Sequence, residues 1–414
     1  MRLGNRRIVV LCALAAAALL AAMVAVVIGT RPYQRPVIAL EPGGQDASFD
    51  GISQLIADAR KRGTMLHVLW THGMCTHGLN WSTDRATRIA TALGGTATQT
   101  GGTEEPGGLT RIRYRIATDG GDFDATFILW SQMTQAFKRA LDFDSPGSDR
   151  TTSFPYERAT LNGALKTKLV NDCLSDSVIY SGRNGDPIRA AMKMAVCHEL
   201  GGTSVAGQPC DLTGVASDRP LAVVTESLGS KVLFDAARAV YEDPGPNPGA
   251  RAAMNQRFAS VQMIFLMANQ IPLLDIASPM PPPPGVDAVE ENAQPPSSLS
   301  EMIAMVHMGR MAMAPGTGTE KGTAAMPAPT VVAFTDPNDL LSYRLLPPVT
   351  DLAHARLINI IGSNAATWLG FLERPDIAHC GYFLNRTVIS LIARGHKVGE
   401  TVPEAPIVES KQCL

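Results

Sequence analysis

The sequence lacks a strong imbalance of charge. Its 414 residues carry a formal net charge of −2, and only 18% of them are Asp, Glu, Lys or Arg. Aromatic residues are also few, at 6% of the chain, and no run of basic residues has aromatics between them. A nucleic-acid-binding surface concentrates positive charge against phosphates, so the composition favours no nucleic-acid partner. It is typical of a globular protein that is long enough to bury a large core.

Cysteine spacings that bind zinc are missing as well. The seven cysteines include no Cys-x-x-Cys pair and no Cys/His spacing of a zinc site. We therefore expect no metal, and nothing in the sequence requires an organic cofactor. Apart from Cys12, which lies in an apolar run, the cysteines allow many pairings. One bridge is expected in a loop-rich segment that contains Cys173, Cys197 and Cys210.

One long stretch has no charged residue. After Arg2, Arg6 and Arg7, residues 8–29 are mostly Ala, Leu and Val. As a helix they would span about 33 Å, enough to cross a bilayer core of about 30 Å. The sequence thus predicts a transmembrane helix, with residues 1–35 as signal anchor and spacer and the membrane as a partner. A long cleaved signal sequence is the alternative. Either way, we expect the body of the protein on the periplasmic side of the membrane or secreted.

The middle of the chain contains a strand-to-helix junction centred on a serine. Leu221–Val224 form an apolar strand, Ser227 lies in an abrupt turn, and an amphipathic helix follows. A serine on such a turn exposes its hydroxyl, and the helix N-terminus stabilises negative charge on the group that the serine attacks. The local sequence is Thr225-Glu-Ser227-Leu-Gly229. An ordinary connection with an N-capping serine would give a similar pattern.

Three further segments place polar residues beside predicted strands. They are His72-Gly73-Met74 after Leu66–Trp70, Asp336-Pro-Asn-Asp339 after Pro329–Phe334, and His379 in a loop between a strand at 355–361 and a helix at 388–393. The chain order is therefore a serine, then an acidic turn, then a histidine. Ahead of the serine, Arg111–Ile116 alternates polar and apolar residues, which predicts one arm of a hairpin.

This order of motifs resembles the α/β-hydrolase superfamily over roughly residues 60–395. The superfamily's nucleophile elbow is normally Gly-x-Ser-x-Gly, and Thr225 stands at the position of the first glycine here. The resemblance implies an α/β fold with a mostly parallel sheet and helices on both faces. It also implies Ser227 as the nucleophile, Asp339 as the triad acid and His379 as the general base.

The resemblance also implies an oxyanion hole. Its two donors would be the backbone amides of Met74 and Leu228. His72 is then interpreted as a structural hydrogen-bonding residue, and His77 has no assigned role. Asp336 competes with Asp339 as the triad acid, but it takes the position of a glycine in the superfamily pattern. We expect Asp336 to brace the turn through its side chain instead.

We expect one catalytic domain over residues 36–414 with two insertions. Residues 132–217 are far longer than a usual α/β connection, and we interpret them as a cap-like insertion over the site; a peripheral excursion is the alternative. Residues 278–328 are rich in Pro and Met, with a short helix after Ser300. That helix could be a lid over an acyl site, hold Cu(I) with help from His307, or pack against the body, which we favour.

The expected function is that of a serine hydrolase. It would cleave a carboxylic ester or a related acyl bond of a small-molecule or lipid-like substrate through an acyl-enzyme intermediate. Two alternatives stay open. One is a serine acyltransferase with the same triad, and the other is a non-catalytic, membrane-tethered binding protein on a hydrolase scaffold. The sequence indicates no oligomeric state.

Overall fold

The computed structural model describes residues 2–29, 37–41, 47–144, 157–205, 207–213, 219–277, 297–313, 327–345, 354–368 and 372–402. Its strands are β1 (Val37–Glu41), β2 (Phe49–Asp50), β3 (His67–Thr71), β4 (Thr96–Glu105), β5 (Leu109–Thr118), β6 (Gly121–Leu129), β7 (Leu221–Glu226), β8 (Val261–Met267), β9 (Thr330–Thr335), β10 (Arg356–Ile361), β11 (Thr367–Trp368), β12 (Leu372–Glu373) and β13 (Gly395–His396).

The α-helices are α1 (Arg2–Gly29), α2 (Ile52–Lys61), α3 (Asn80–Ala92), α4 (Gln135–Arg139), α5 (Thr160–Ala164), α6 (Ser175–Ser181), α7 (Asp186–Glu199), α8 (Gly229–Glu242), α9 (Ala250–Ala259), α10 (Ile271–Leu274), α11 (Ser298–Met313), α12 (Pro375–Cys380) and α13 (Arg386–Arg394). A π-helical stretch, Leu165–Leu174, joins α5 to α6. Short 3₁₀ turns lie at Ser131–Thr134, Asp142–Asp144, Arg183–Gly185, Asp275–Ala277 and Gly381–Phe383.

A nine-stranded sheet forms the centre of these described ranges, in the order β1-β10-β9-β8-β7-β3-β6-β5-β4. β6, β3, β7, β8, β9 and β10 run parallel to one another. β4, β5 and β6 form an antiparallel meander, which confirms the predicted hairpin at Arg111–Ile116. β3 and β9 are buried at every position, as expected for parallel strands with both faces covered. The predicted α/β fold with a mostly parallel sheet is confirmed.

Helices cover both faces of the sheet. Side chains alternate between the faces along each strand, so Leu69 and Val223 pack with α7, α8 and α11. Their neighbours Trp70 and Val224 pack on the opposite face with α2, α3 and α13. The two cores fix the sheet between its helices. The loops at the carboxyl ends of the parallel strands are therefore held on a rigid base.

The N-terminal segment is helical, as α1. The structure describes its side chains over residues 10–26. Within the described ranges, no helix combines the length and apolarity needed to cross a membrane. The predicted transmembrane helix is therefore not supported. The expected spacer, at residues 30–35, lies outside the described residues.

The cap-like insertion, 132–217, is largely helical where the structure describes it. Two disulfides anchor it: Cys197–Cys210 closes a loop within the insertion, and Cys75–Cys173 joins it to the loop after β3. Cys380 is also disulfide-bonded. Cys75 and Cys173 are 98 residues apart, and closing so long a loop in the unfolded chain contributes about 4–5 kcal/mol in the entropic account. The insertion is thus fastened to the carboxyl edge of the sheet.

The Met-rich helix of the second insertion is α11. Met302, Ile303, Met305 and Val306 are buried on it in the core shared with α8 and α9. Of the three interpretations, packing against the body matches these contacts. The Pro-rich start of this insertion, 278–296, and its end at 314–326 lie outside the described residues.

Candidate active site

Ser227 occupies a strained turn between β7 and α8. Its φ is +55°, a left-handed conformation that costs a residue with a Cβ atom about 1–2 kcal/mol. The turn is held because the Ser227 amide donates to the Met267 carbonyl at 2.8 Å and the Ser227 carbonyl accepts from the Ser230 amide at 3.1 Å. The strain is thus balanced by contacts to β8 and α8. It places the hydroxyl at the carboxyl edge of the sheet.

Two glycines let the neighbouring loops meet at this turn. A Cβ atom on Gly73 would lie 2.5 Å from the Cβ of Ser227, and one on Gly229 would lie 2.3 Å from the carbonyl oxygen of His72. Larger residues would separate the loop after β3 from the elbow. Thr225 is tolerated because it lies inside β7, paired with Thr71 of β3, rather than in the turn itself.

Three predicted side chains form one hydrogen-bonded series. The Ser227 Oγ lies 2.9 Å from the His379 Nε2. The His379 Nδ1 lies 2.9 Å from Oδ1 and 3.0 Å from Oδ2 of Asp339, whose side chain is fully buried. Asp339 follows β9. His379 lies in α12 rather than in the expected loop, because Pro375 begins a short helix there.

Tyr382 and a backbone amide hold the Asp339 carboxylate. The Tyr382 hydroxyl donates to Oδ2 at 3.0 Å, and the Leu341 amide donates to Oδ1 at 3.0 Å. Burial, and then the charge of Asp339, raise the pKa of Tyr382 well above its usual range, so the phenol keeps its proton. The sequence reasoning missed Tyr382. The sequence signal for Tyr382 is its position three residues after His379, because residues one helical turn apart lie on the same side of a helix.

The Asp336 carboxylate forms hydrogen bonds on the other side of the acidic turn. It accepts from the amides of Asn338 at 2.9 Å and Asn364 at 2.5 Å, and it is hydrogen-bonded to the carboxyl group of Glu373. Glu373 in turn accepts from the Asn338 side chain at 2.7 Å and the Ala365 amide at 2.9 Å. Burial, and then the charge of Asp336, raise the pKa of Glu373 to about 8. The two carboxyl groups therefore share a proton near neutral pH.

Glu373 makes stability depend on pH. Its pKa is 4.5 in the unfolded chain and about 8 in the folded protein, so the folded state binds the extra proton between these values. The free energy of unfolding should therefore fall as the pH rises from 4.5 to about 8, by at most about 1.4 kcal/mol per pH unit. The Glu373→Gln variant has no carboxyl group to titrate at this position, so its free energy of unfolding should not show this fall. Urea unfolding of both proteins at pH 5 to 8 checks it; parallel stability curves would contradict the shared proton.

His72 fixes the peptide that carries the Met74 amide. The His72 Nε2 accepts from the amides of Trp130 at 2.9 Å and Ser131 at 3.3 Å. The proton is therefore on Nδ1, which donates to the Gly73 carbonyl at 2.8 Å. Burial lowers the pKa of His72 well below its usual range, so the ring stays neutral. Because the peptide is planar and trans, holding the Gly73 oxygen also directs the Met74 N–H the opposite way.

Both candidate oxyanion donors are available. Within the described ranges, neither the Met74 amide nor the Leu228 amide donates to a protein acceptor. Leu228 follows Ser227 directly and precedes the first turn of α8, where partial positive charge accumulates. His77 donates from Nε2 to the Met74 carbonyl at 2.9 Å, and burial lowers its pKa to about 4. His77 thus supports the same loop as a neutral ring.

Arg85 anchors the elbow from α3 and was missed in the sequence. Its Nε and Nη2 donate to the two carboxylate oxygens of Glu226 at 3.1 and 3.0 Å. The guanidinium also lies 4.8 Å from the centre of the Phe383 ring. Since Glu226 directly precedes Ser227, this bidentate ion pair connects the Ser227 turn to α3. The sequence offers no local signal for it, because the partners are 141 positions apart.

No protein-family model, curated protein or solved structure matches this chain. A function must therefore come from the chemistry of the site. A serine whose proton has an imidazole acceptor, beside two backbone N–H groups that donate to no acceptor in the described part of the chain, is equipped for attack on a carbonyl carbon.

Proposed function

We propose that the protein is a serine hydrolase of the α/β-hydrolase type that cleaves a carboxylic ester or a related acyl bond. The observation that supports this most is the series Asp339–His379–Ser227. Each link is within hydrogen-bond distance, at 2.9 Å for the serine and histidine and 2.9–3.0 Å for the histidine and aspartate. Its nucleophile lies in a strained turn with positive φ, as expected where backbone strain serves function.

Each residue of the series has a defined role in the reaction. The Ser227 Oγ attacks the acyl carbonyl carbon while the His379 Nε2 takes its proton. Asp339 holds the Nδ1–H and stabilises the imidazolium ion. The imidazolium then protonates the leaving alcohol, which departs and leaves an acyl-serine. Water, deprotonated by the same imidazole, releases the carboxylic acid and regenerates Ser227.

The Met74 and Leu228 amides would stabilise the developing oxyanion. Such donors act because they are fixed before the reaction and need no reorganisation as charge develops. His72 supplies this fixation for the Met74 peptide. Loss of one donor of this kind typically lowers kcat by about 10²–10³-fold.

The proposed enzyme works outside the cytosol on a small-molecule or lipid-like acyl substrate. The disulfides Cys75–Cys173 and Cys197–Cys210 support this compartment, because such bonds persist in oxidising surroundings. The insertion at 132–217 would act as the cap, since Cys173 joins it to the residue after Met74.

The experiment that tests the function is reaction with a fluorophosphonate probe and with p-nitrophenyl esters of increasing acyl length. We expect the purified protein to be labelled covalently, with the probe on the peptide that contains Ser227, and to release nitrophenol. Failure of both reactions in folded protein would favour a non-catalytic binding protein.

A further inference from the structure

The loop after β3 that carries the Met74 amide, here called the oxyanion loop (residues 74–76), is bound by one helical face of the cap, the insertion at 132–217. Three consecutive residues, Met74, Cys75 and Thr76, each contact the helical segment 165–181. The Met74 sulfur accepts a hydrogen bond from the Ser177 hydroxyl at 3.1 Å. Cys75 forms a disulfide with Cys173, and its amide donates to Asp176 Oδ2 at 2.8 Å. The Thr76 amide donates to Asp172 Oδ2 at 3.3 Å. Residues 172, 173, 176 and 177 recur at one helical turn, so they share a face.

Asp176 is the buried centre of these contacts. Its Oδ2 accepts from the Cys75 amide at 2.8 Å and from the Lys138 Nζ at 2.9 Å. The Asp176 side chain is fully buried, and that of Lys138 is 7% exposed. A buried ion pair is weak evidence for a role in stability, because its desolvation cost rivals its attraction. Asp176 instead lies where it can orient the oxyanion loop, because it binds the amide of the residue that follows Met74.

Cys75 holds an unfavourable backbone conformation. Its φ is +77°, in the left-handed region that a residue with a Cβ atom enters only when its surroundings enforce it. Asp176 binds its amide and Cys173 binds its sulfur. The peptide between Met74 and Cys75 is therefore fixed on one side of the Met74 Cα, and His72 fixes the peptide on the other side. Together they determine the direction of the Met74 N–H.

We propose that Asp176, held in place by Lys138, is a positioning residue that keeps the Met74 amide directed at the oxyanion by binding the next amide along the chain. This inference rests on the proposed serine-hydrolase function. The cap would then influence the rate of the chemical step through Asp176, in addition to enclosing the substrate.

Two double variants separate positioning from stability. In Asp176→Leu/Lys138→Met the ion pair is replaced by apolar groups of similar size, which is often neutral for folding, but the Cys75 amide loses its acceptor. In Asp176→Asn/Lys138→Met the charge pair is also gone, but a carboxamide oxygen remains to accept from Cys75. The comparison between the two variants is whether position 176 offers an acceptor to the Cys75 amide. The exposed Asp186→Asn, on the same insertion, serves as the matched surface control.

The test measures kcat, KM and thermal midpoint on a p-nitrophenyl ester. We expect kcat of the leucine variant to fall about 10- to 100-fold, less than for loss of a whole donor, with KM nearly unchanged because the oxyanion forms only in the transition state. The asparagine variant should recover most of kcat. If the leucine variant does not fold, Asp176→Ala/Lys138→Met makes the same comparison.

Equal kcat in the leucine variant and the wild type would overturn the positioning role, as would an equal loss in both double variants. An inactive, unlabelled wild type would instead overturn the proposed function and this inference with it. The two failures are therefore distinguishable.

Discussion

Ser227→Ala is expected to abolish ester turnover and fluorophosphonate labelling while the fold stays intact. The substitution removes one oxygen, whose hydrogen bond to His379 is 2.9 Å long. Without a nucleophile, no acyl-enzyme forms, and kcat should fall on the order of 10⁴–10⁶-fold. The residual rate would come from the oxyanion donors alone. The measurement is steady-state hydrolysis of a p-nitrophenyl ester together with gel detection of the labelled protein.

A second substitution at the same position guards against an unfolding artefact. Ser227 has a φ of +55°, so Ser227→Gly removes the Cβ atom responsible for the strain and should be at least as stable as Ser227→Ala. Both variants should be equally inactive, although their thermal midpoints differ. Turnover in either folded variant would show that another residue is the nucleophile.

The elbow could be predicted because its signals are local. An apolar strand, a small turn and an amphipathic helix lie within some twenty consecutive residues, and each follows from side-chain periodicity. Thr225 departed from the superfamily pattern, yet it lies within β7, and a strand suits a β-branched residue. The alternation at Arg111–Ile116 predicted a hairpin arm for the same reason, and β5 pairs with β6 in that region.

The structural roles of His72 and Asp336 could be predicted, but the partners of the site's supports could not, because they lie in distant parts of the chain. His72 is held by amides 58 and 59 positions away, and the Cys75 amide by a carboxylate 101 positions away. No periodicity or spacing reports such contacts; they exist only once the sheet brings the strand ends together. Tyr382 was missed although it is near His379, since a tyrosine before a helix is ordinarily a core residue.

Asp339→Asn is expected to lower kcat about 10⁴-fold, and Asp336→Asn only a few-fold. The asparagine retains the shape of Asp339, but it has one acceptor oxygen where the carboxylate used both. Oδ1 and Oδ2 each lie within 3.0 Å of the His379 Nδ1, while also accepting from Leu341 and Tyr382. An amide hydrogen facing Nδ1 would favour the tautomer that carries its proton on Nε2. That tautomer cannot accept the serine proton.

Asp336→Asn is the matched control for this prediction. Both aspartates are buried and lie on the same turn, but Asp336 binds Asn338, Asn364 and Glu373 instead of the histidine. Losing part of these Asp336 contacts should lower the free energy of unfolding by about 1–3 kcal/mol and change kcat little. The check is kcat and thermal midpoint for both variants on one ester. If Asp336→Asn were the slower enzyme, Asp336 rather than Asp339 would be the acid that orients His379.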